Sequence, residues 1–173
     1  MNLLTVVIPP PEVIADFTEV LDDFRPPPGW RIEPPQLWVL QLGSHPGADP
    51  GVQARHLERA VLGVSAPRLR LFGAARRERV CSVAVEADPP ALLRDLVAAA
   101  GGNPNLAESV IPVLRTVRRT RFSGVPSLPW VNYRGPWWQP GEAILVMWEP
   151  GRGGGRYVPV HRVPLGAAFP GGA

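Results

Sequence analysis

The spacing of apolar residues along the chain predicts three amphipathic helices. Apolar side chains recur every three or four positions over residues 11–24, and acidic side chains occupy the opposite face. Similar apolar stripes mark residues 52–62 and 89–100. Prolines open the first and third of these segments, and the first turn of a helix tolerates proline. We therefore expect three helices, each with one face against the core.

Short apolar and β-branched runs between the helices predict strands. They fall at residues 3–8, 30–32, 37–42, 68–72, 80–86, 111–118, 143–148 and 157–163. Residues 74–79 and 151–155 indicate hairpin turns, 43–51 a polar loop, and 120–140 a long irregular segment with several tryptophans. Frequent hairpins favour an α+β fold with antiparallel sheets over a doubly wound parallel sheet.

Length and composition indicate one globular domain, 1–173. The chain has 173 residues, of which 45% are apolar, and this is enough to form a core. No apolar run is long enough to cross a bilayer, so we expect no membrane contact. The apolar N-terminus lacks a basic flank and leads into prolines. We interpret it as a buried strand instead of an export signal and expect a cytoplasmic location.

The charge is distributed unevenly along the chain. All 18 basic residues are arginine, and the formal net charge is +3. Residues 1–66 hold four arginines against eight acids, whereas residues 67–173 hold fourteen against seven. A basic second half suits a phosphate-bearing partner. A solvated surface shaped by genomic base composition is the alternative.

Four segments resemble a known family in their order along the chain. They are WRIEPPQLWVLQLG (30–43), APRLRLFGAARRERVCSVAVEADPPALLRDL (66–96), IPVLRTVR (111–118) and GEAILVMWEPGRGGGRYVPVHRVPL (141–165). The chain resembles the two-histidine (2H) phosphoesterases of the bacterial 2'-5' RNA ligase, or LigT-like, family. The resemblance implies a fold of two interleaved lobes, in which two antiparallel sheets face a central cleft and the helices lie outside.

The resemblance also implies where the family's two H-x-T motifs would lie. In that family one imidazole acts as general base and the other as general acid. Here the first motif reads Trp38-Val39-Leu40, or Gln36-Leu37-Trp38 in the other register. The second reads Val113-Leu114-Arg115. Because neither motif contains histidine, we expect that the family's RNA 2',3'-cyclic phosphodiesterase activity is absent and that no residue is catalytic in its place.

Histidine and cysteine do not form another site. His45, His56 and His161 lie apart and lack the spacing of metal ligands. Cys81 is the only cysteine and lies in an apolar run, so we interpret it as a buried small hydrophobe. We expect neither a metal nor a cofactor.

Arginines and aromatic residues are the remaining candidates for ligand binding. Arg115 and Arg118 belong to a dense basic run with Arg119 and Arg121; if it is not simply solvated, it could bind an anion bidentately. If Arg115 takes the family's threonine position, it and Val113 share the cleft face. Trp38 and Tyr133 are candidates to contact a ligand. Segment 130–138 contains three tryptophans, which are either buried or available to a protein partner.

The predicted function is binding of a nucleotide or an RNA end in the former active-site cleft, without hydrolysis. One alternative is an enzyme, a cyclic phosphodiesterase or another, that uses residues outside the family's motifs. A second alternative is a scaffold for protein interaction, with Trp38, Leu40 and Val113 filling the cleft. An open cleft lined by arginine favours binding, whereas a new histidine or acid pair favours an enzyme. The sequence does not indicate an oligomeric state.

Overall fold

The computed structural model describes residues 2–105, 109–117, 126–152 and 154–166. Within these ranges there are three α-helices and eight strands. The helices are α1 (Pro11–Leu21), α2 (Pro50–Val61) and α3 (Pro90–Ala99). The strands are β1 (Asn2–Val7), β2 (Trp30–Ile32), β3 (Leu40–Pro46), β4 (Arg68–Arg77), β5 (Val80–Asp88), β6 (Val110–Thr116), β7 (Glu142–Gly151) and β8 (Gly154–Pro164). None of the described helices has the length and apolarity needed to cross a bilayer.

The strands form two antiparallel sheets of four. The first sheet has the order β3-β1-β7-β8, and the second has the order β2-β6-β5-β4. The α+β prediction with antiparallel sheets is confirmed. The hairpins β4–β5 and β7–β8 form where the sequence predicted turns. In each, only a short turn separates two strands with alternating apolar residues.

Each helix begins at a proline after an extended residue, as the sequence predicted for the first and third. Asp49 caps α2, because its side chain accepts a hydrogen bond of 2.9 Å from the Val52 N–H. The boundary of β3 differs from the prediction. Residues Pro35–Leu37 form a 3-10 turn, so the strand starts at Leu40 and continues to Pro46, paired with β1. Pairing with β1 therefore overrides the polar, loop-like character of residues 43–46.

The main core lies between the helices and one face of each sheet. It includes Val13 and Phe17 of α1, Leu57 of α2, Leu96 of α3, and alternate strand residues such as Leu145. The opposite faces of the two sheets line the cleft. A second small cluster covers the cleft face of the first sheet: Leu4, Val6, Val39, Ile144 and Val146. The cleft therefore has an apolar wall on one side.

The segment 126–140 runs beside the edge strand β4 without forming a helix. Leu69 exchanges two backbone hydrogen bonds with Trp138, of 2.7 and 2.8 Å. Trp130 is fully buried, and its indole N–H donates to the Ser82 carbonyl at 2.9 Å. Trp138 is buried as well, whereas Trp137 is half-exposed. Two of the three tryptophans therefore belong to the core, and only Trp137 remains at the surface.

Candidate functional site

An open cleft of about 1250 Å³ lies between the two sheets. From the first sheet it is lined by Leu4, Gln41 and Tyr157, and from the second by Arg31, Ser82 and Arg115. The first of these walls is mainly apolar and the second is basic. Trp38, Leu40 and Val113 do not fill the cleft, because all three are buried in the main core.

A β-bulge in β6 decides which residues of the second motif face the cleft. Cys81 of β5 pairs with Leu114, but the next residue, Ser82, pairs with Pro112, so Val113 is the extra residue. Such a residue interrupts the alternation of a strand. Pro112 and Arg115 therefore both line the cleft, while Val113 is fully buried. The prediction that Val113 shares the cleft face with Arg115 is wrong for this reason.

The first motif also differs from the predicted register. Trp38 and Leu40 are buried, and neighbouring Val39 and Gln41 line the cleft instead. The Trp38 indole donates to the Glu33 carbonyl at 2.9 Å, and its ring packs edge-on against a core phenylalanine of α1. Trp38 is therefore part of the core and not a ligand contact. Gln36 is exposed in the 3-10 turn and does not line the cleft.

Two other residues predicted to bind a ligand are not found in the described cleft lining. Tyr133 packs edge-on against Phe17, with ring centroids 5.2 Å apart, and its hydroxyl donates to Asp16. It contributes to the contact with α1 instead of the cleft. Arg118 lies outside the described residues, as do Arg119 and Arg121.

Arg115 is paired with a carboxylate and is also open to the cleft. Its Nε lies 3.0 Å from Glu33 Oε1, and Arg31 Nη2 lies 3.8 Å from the same oxygen. The Glu33 side chain is 6% exposed, whereas the Arg115 side chain is 45% exposed. No described donor is aligned for a hydrogen bond to that oxygen, so the contact is an ion pair. Glu33 thus holds one edge of the guanidinium and leaves the rest accessible.

An aromatic pair faces these charges across the cleft. Trp148 of β7 and Tyr157 of β8 lie directly opposite each other, with ring centroids 5.2 Å apart, and both line the cleft. Burial raises the pKa of Tyr157, Arg115 lowers it and Glu33 raises it. Tyr157, Arg115 and Glu33 all line the same cleft. With its pKa raised, the phenol is protonated at neutral pH.

Gly155 makes room for Trp148, a role that sequence analysis missed. A Cβ at position 155 would overlap the indole ring, so only glycine lets Trp148 lie across β8. The sequence carried a usable signal. Counting outward from the turn between β7 and β8 pairs Trp148 with Tyr157 and places Gly155 beside them.

Imidazoles and paired acids are missing from the part of the cleft wall that the structure describes. His45 contacts the Thr5 hydroxyl at 2.8 Å, His161 contacts Glu58 at 2.7 Å, and His56 is exposed on α2. None of the three lines the cleft, and Glu33 is the sole carboxylate among the described lining residues. The described residues also contain no group of three potential metal ligands.

Comparison with known proteins identifies the fold by structure alone. No family model matches the sequence, and no curated protein sequence matches it. TT0787 of Thermus thermophilus matches with a TM-score of 0.72 and 23% identity, over 95% of this chain and 97% of that chain. E. coli LigT with phosphate matches with a TM-score of 0.71 and 19% identity, over 95% and 97%.

LigT has also been solved with other ligands, and these structures match as well. The complex with ATP gives a TM-score of 0.70 and 20% identity, over 95% of this chain and 98% of that chain. A complex with 3'-AMP matches too.

The chain has two facing antiparallel sheets, and the matches cover nearly the full length of both chains. It therefore has the fold of the LigT-like, two-histidine phosphoesterases.

Proposed function

We propose that this protein binds a nucleotide or an RNA end in its cleft and does not hydrolyse it. The observation that carries the proposal is the position of Arg115, which Glu33 orients and the cleft leaves half-exposed. Guanidinium groups match phosphate oxygens in a bidentate geometry. Arg31 and Arg77 line the same wall, so this wall of the cleft carries three permanent cations.

The absence of hydrolysis is proposed because the described cleft wall offers no acid–base pair. Opening a cyclic phosphate requires one group to accept a proton and another to donate one. The described lining has one carboxylate, Glu33, which is already paired with Arg115. Tyr157 is protonated at neutral pH and could only donate. The enzyme alternative therefore lacks a free general base among the described cleft residues.

Two features support a nucleotide over a simple anion. The Trp148–Tyr157 pair presents aromatic rings on the wall opposite Arg115, and such rings stack on bases. The structural neighbour LigT has been solved with phosphate, with ATP and with 3'-AMP.

The open cleft of about 1250 Å³ argues against the scaffold alternative, which requires a filled cleft.

Calorimetric titration with 3'-AMP and with inorganic phosphate tests the binding. Arg115→Ala should weaken both by about 1.5–3 kcal/mol, the value of a hydrogen bond to a charged group. Arg94→Ala is the matched control, since Arg94 is exposed on α3 and away from the cleft. If the unmodified protein binds neither ligand, or if Arg115→Ala binds as tightly as Arg94→Ala, the binding proposal fails.

Hydrolysis is tested separately with a nucleoside 2',3'-cyclic phosphate, using E. coli LigT as the reference. Turnover should be far below that of the reference, because positioning alone leaves only residual rate enhancement. Turnover similar to that of LigT, abolished by substitution in the cleft, would establish an enzyme.

A further inference from the structure

The cleft face of the second sheet continues beyond the cleft along β4 and β5. Val80 and Ser82 of β5 line the cleft, and residues of one strand at even spacing share a face. Glu86 and Asp88 therefore lie on the same face, roughly 13 Å or more past Ser82 at the usual rise of a strand. The continuation lies outside the site described above.

Arginine residues pair with these two carboxylates across the strands. Arg70 Nε lies 2.7 Å from Glu86 Oε2, and Arg68 Nη2 lies 2.5 Å from Asp88 Oδ2. Each arginine is the direct cross-strand partner of its carboxylate. Each ion pair places a carboxylate beside a guanidinium and offsets its positive charge.

Aromatic rings lie beneath the same guanidinium groups. Arg68 and Arg70 lie 5.0 and 4.5 Å from the Trp137 ring centroid, and Arg70 and Arg134 lie 5.0 and 5.1 Å from that of Phe72. Neighbouring Trp138 points into the core, so Trp137 points to the cleft face. We call Arg68, Arg70, Phe72, Arg134 and Trp137 the arginine–aromatic ribbon.

The ribbon has the surface chemistry of a base-stacking platform. Arg68 and Arg134 are exposed, and Phe72 and Trp137 are half-buried. Bases stack on aromatic rings and on guanidinium planes alike. Because two carboxylates neutralise two of the three arginines, the ribbon suits bases better than phosphates. The arginines that line the cleft are better placed for phosphate.

We propose that the arginine–aromatic ribbon stacks the bases of a single-stranded nucleic acid whose terminal phosphate occupies the cleft. This inference rests on the proposed function and deepens it, since it makes the ligand an oligonucleotide. Stacking tolerates any base, so the ribbon extends the contact without selecting a sequence. Nothing in the ribbon distinguishes ribose from deoxyribose, so RNA and DNA are separate arms of the test.

The test compares 3'-AMP with 3'-phosphorylated oligoadenylates of RNA and of DNA, by calorimetry and by fluorescence anisotropy. The unmodified protein should bind at least one oligonucleotide more tightly than 3'-AMP. Trp137→Ala should weaken oligonucleotide binding about five- to hundred-fold, the usual effect of losing one stacked base, and leave 3'-AMP binding unchanged. Arg134→Ala should act in the same direction, and Arg94→Ala, which removes an exposed arginine elsewhere, should have no effect.

The outcomes separate this inference from the proposed function. If 3'-AMP binds but oligonucleotides bind no more tightly, or if Trp137→Ala weakens both ligands equally, the ribbon proposal is overturned and the cleft proposal stands. If the unmodified protein does not bind 3'-AMP but binds an oligonucleotide that Trp137→Ala releases, the cleft proposal is overturned instead. If Trp137→Ala does not fold, Arg134→Ala decides, because that side chain is exposed. A ribbon that captures a protein and no oligonucleotide contradicts the inference.

Discussion

Replacing Glu33 with glutamine should strengthen anion binding in the cleft. Glu33→Gln keeps the size of the side chain and removes a negative charge 3.0 Å from Arg115 Nε. The backbone contacts of residue 33 do not depend on that charge: its N–H donates to Val113 O at 2.7 Å, and its carbonyl accepts from the Trp38 indole. The substitution therefore changes electrostatics more than structure.

The size of the gain follows from Coulomb's law. A phosphate bound at the free edge of Arg115 would lie roughly 6 Å from the lost charge, and two unit charges at that distance interact by about 0.7 kcal/mol in water and about 2.8 kcal/mol at an effective dielectric constant of about 20. Arg115 is half-exposed, so the true value lies between these limits. Against this gain, Arg115 released from Glu33 loses about 0.5–1.5 kcal/mol of side-chain entropy on binding. Phosphate affinity should therefore rise, by up to about 100-fold.

The assay is calorimetric titration with inorganic phosphate at fixed pH and ionic strength. Glu58→Gln is the control, because it removes the same charge from a residue that pairs with His161 and does not line the cleft. Thermal melting verifies that each variant folds. An unchanged or weaker affinity in a folded Glu33→Gln protein, together with an equal affinity after Arg115→Ala, would show that Arg115 is not the anion contact.

Tyr157 provides an independent readout of the same charges. Its pKa is raised by burial and further by Glu33, and it is lowered by Arg115. Loss of the Glu33 carboxylate should therefore lower the pKa of Tyr157, and Arg115→Ala should raise it, as measured by ultraviolet absorbance titration. Equal titration curves in the unmodified protein and both variants would contradict the influence of the ion pair on the phenol.

Three further substitutions test the fold and its pH dependence. Trp130→Ala should destabilise the protein by about 3–5 kcal/mol in denaturant titrations, because a fully buried indole and its hydrogen bond to Ser82 are lost. Gly102→Ala should cost about 1–3 kcal/mol in the same assay, since a Cβ there would overlap the Leu42 carbonyl. Burial lowers the pKa of His45 below 6.5, so the unfolded chain binds protons first on acidification. Stability should be fully present above pH 6.5 and fall as the pH drops through the folded pKa, and His45→Gln should remove that part of the slope.

Periodicity predicted the elements of this fold well because tertiary contacts agree with it. The stripe in α1 places Val13, Phe17 and Leu21 in the core, which is where helical spacing puts them. The hairpins follow from apolar runs separated by short turns, and their order along the chain carried the resemblance to LigT-like proteins. Element boundaries depended on pairing partners instead, as the extension of β3 to Pro46 along β1 illustrates.

The site was less predictable, because its side chains depend on local interruptions of regular structure. The prediction that Arg115 and Val113 share a face assumed that the side chains of β6 alternate without interruption. The bulge at Val113 breaks this alternation. A 3-10 turn follows Pro34, and Val39 and Gln41 line the cleft in place of Gln36, Trp38 and Leu40. Glu33 has no sequence signal of its own. Its importance comes from pairing β2 with β6, which brings Arg31 and Arg115 side by side.

The Glu33–Arg115 pair is better explained by positioning than by stability. Removing a carboxylate from water carries a penalty that often equals the attraction of its partner, so a pair whose carboxylate is buried contributes little net stability. The opposite wall is formed partly by apolar side chains such as Leu4 and Val39, and an apolar pair could have formed this wall too. What apolar residues could not do is hold a guanidinium by one edge and leave the other edge facing a cleft. That arrangement limits the rotamers of Arg115 before a ligand arrives, and a pre-oriented cation loses less side-chain entropy on binding a phosphate.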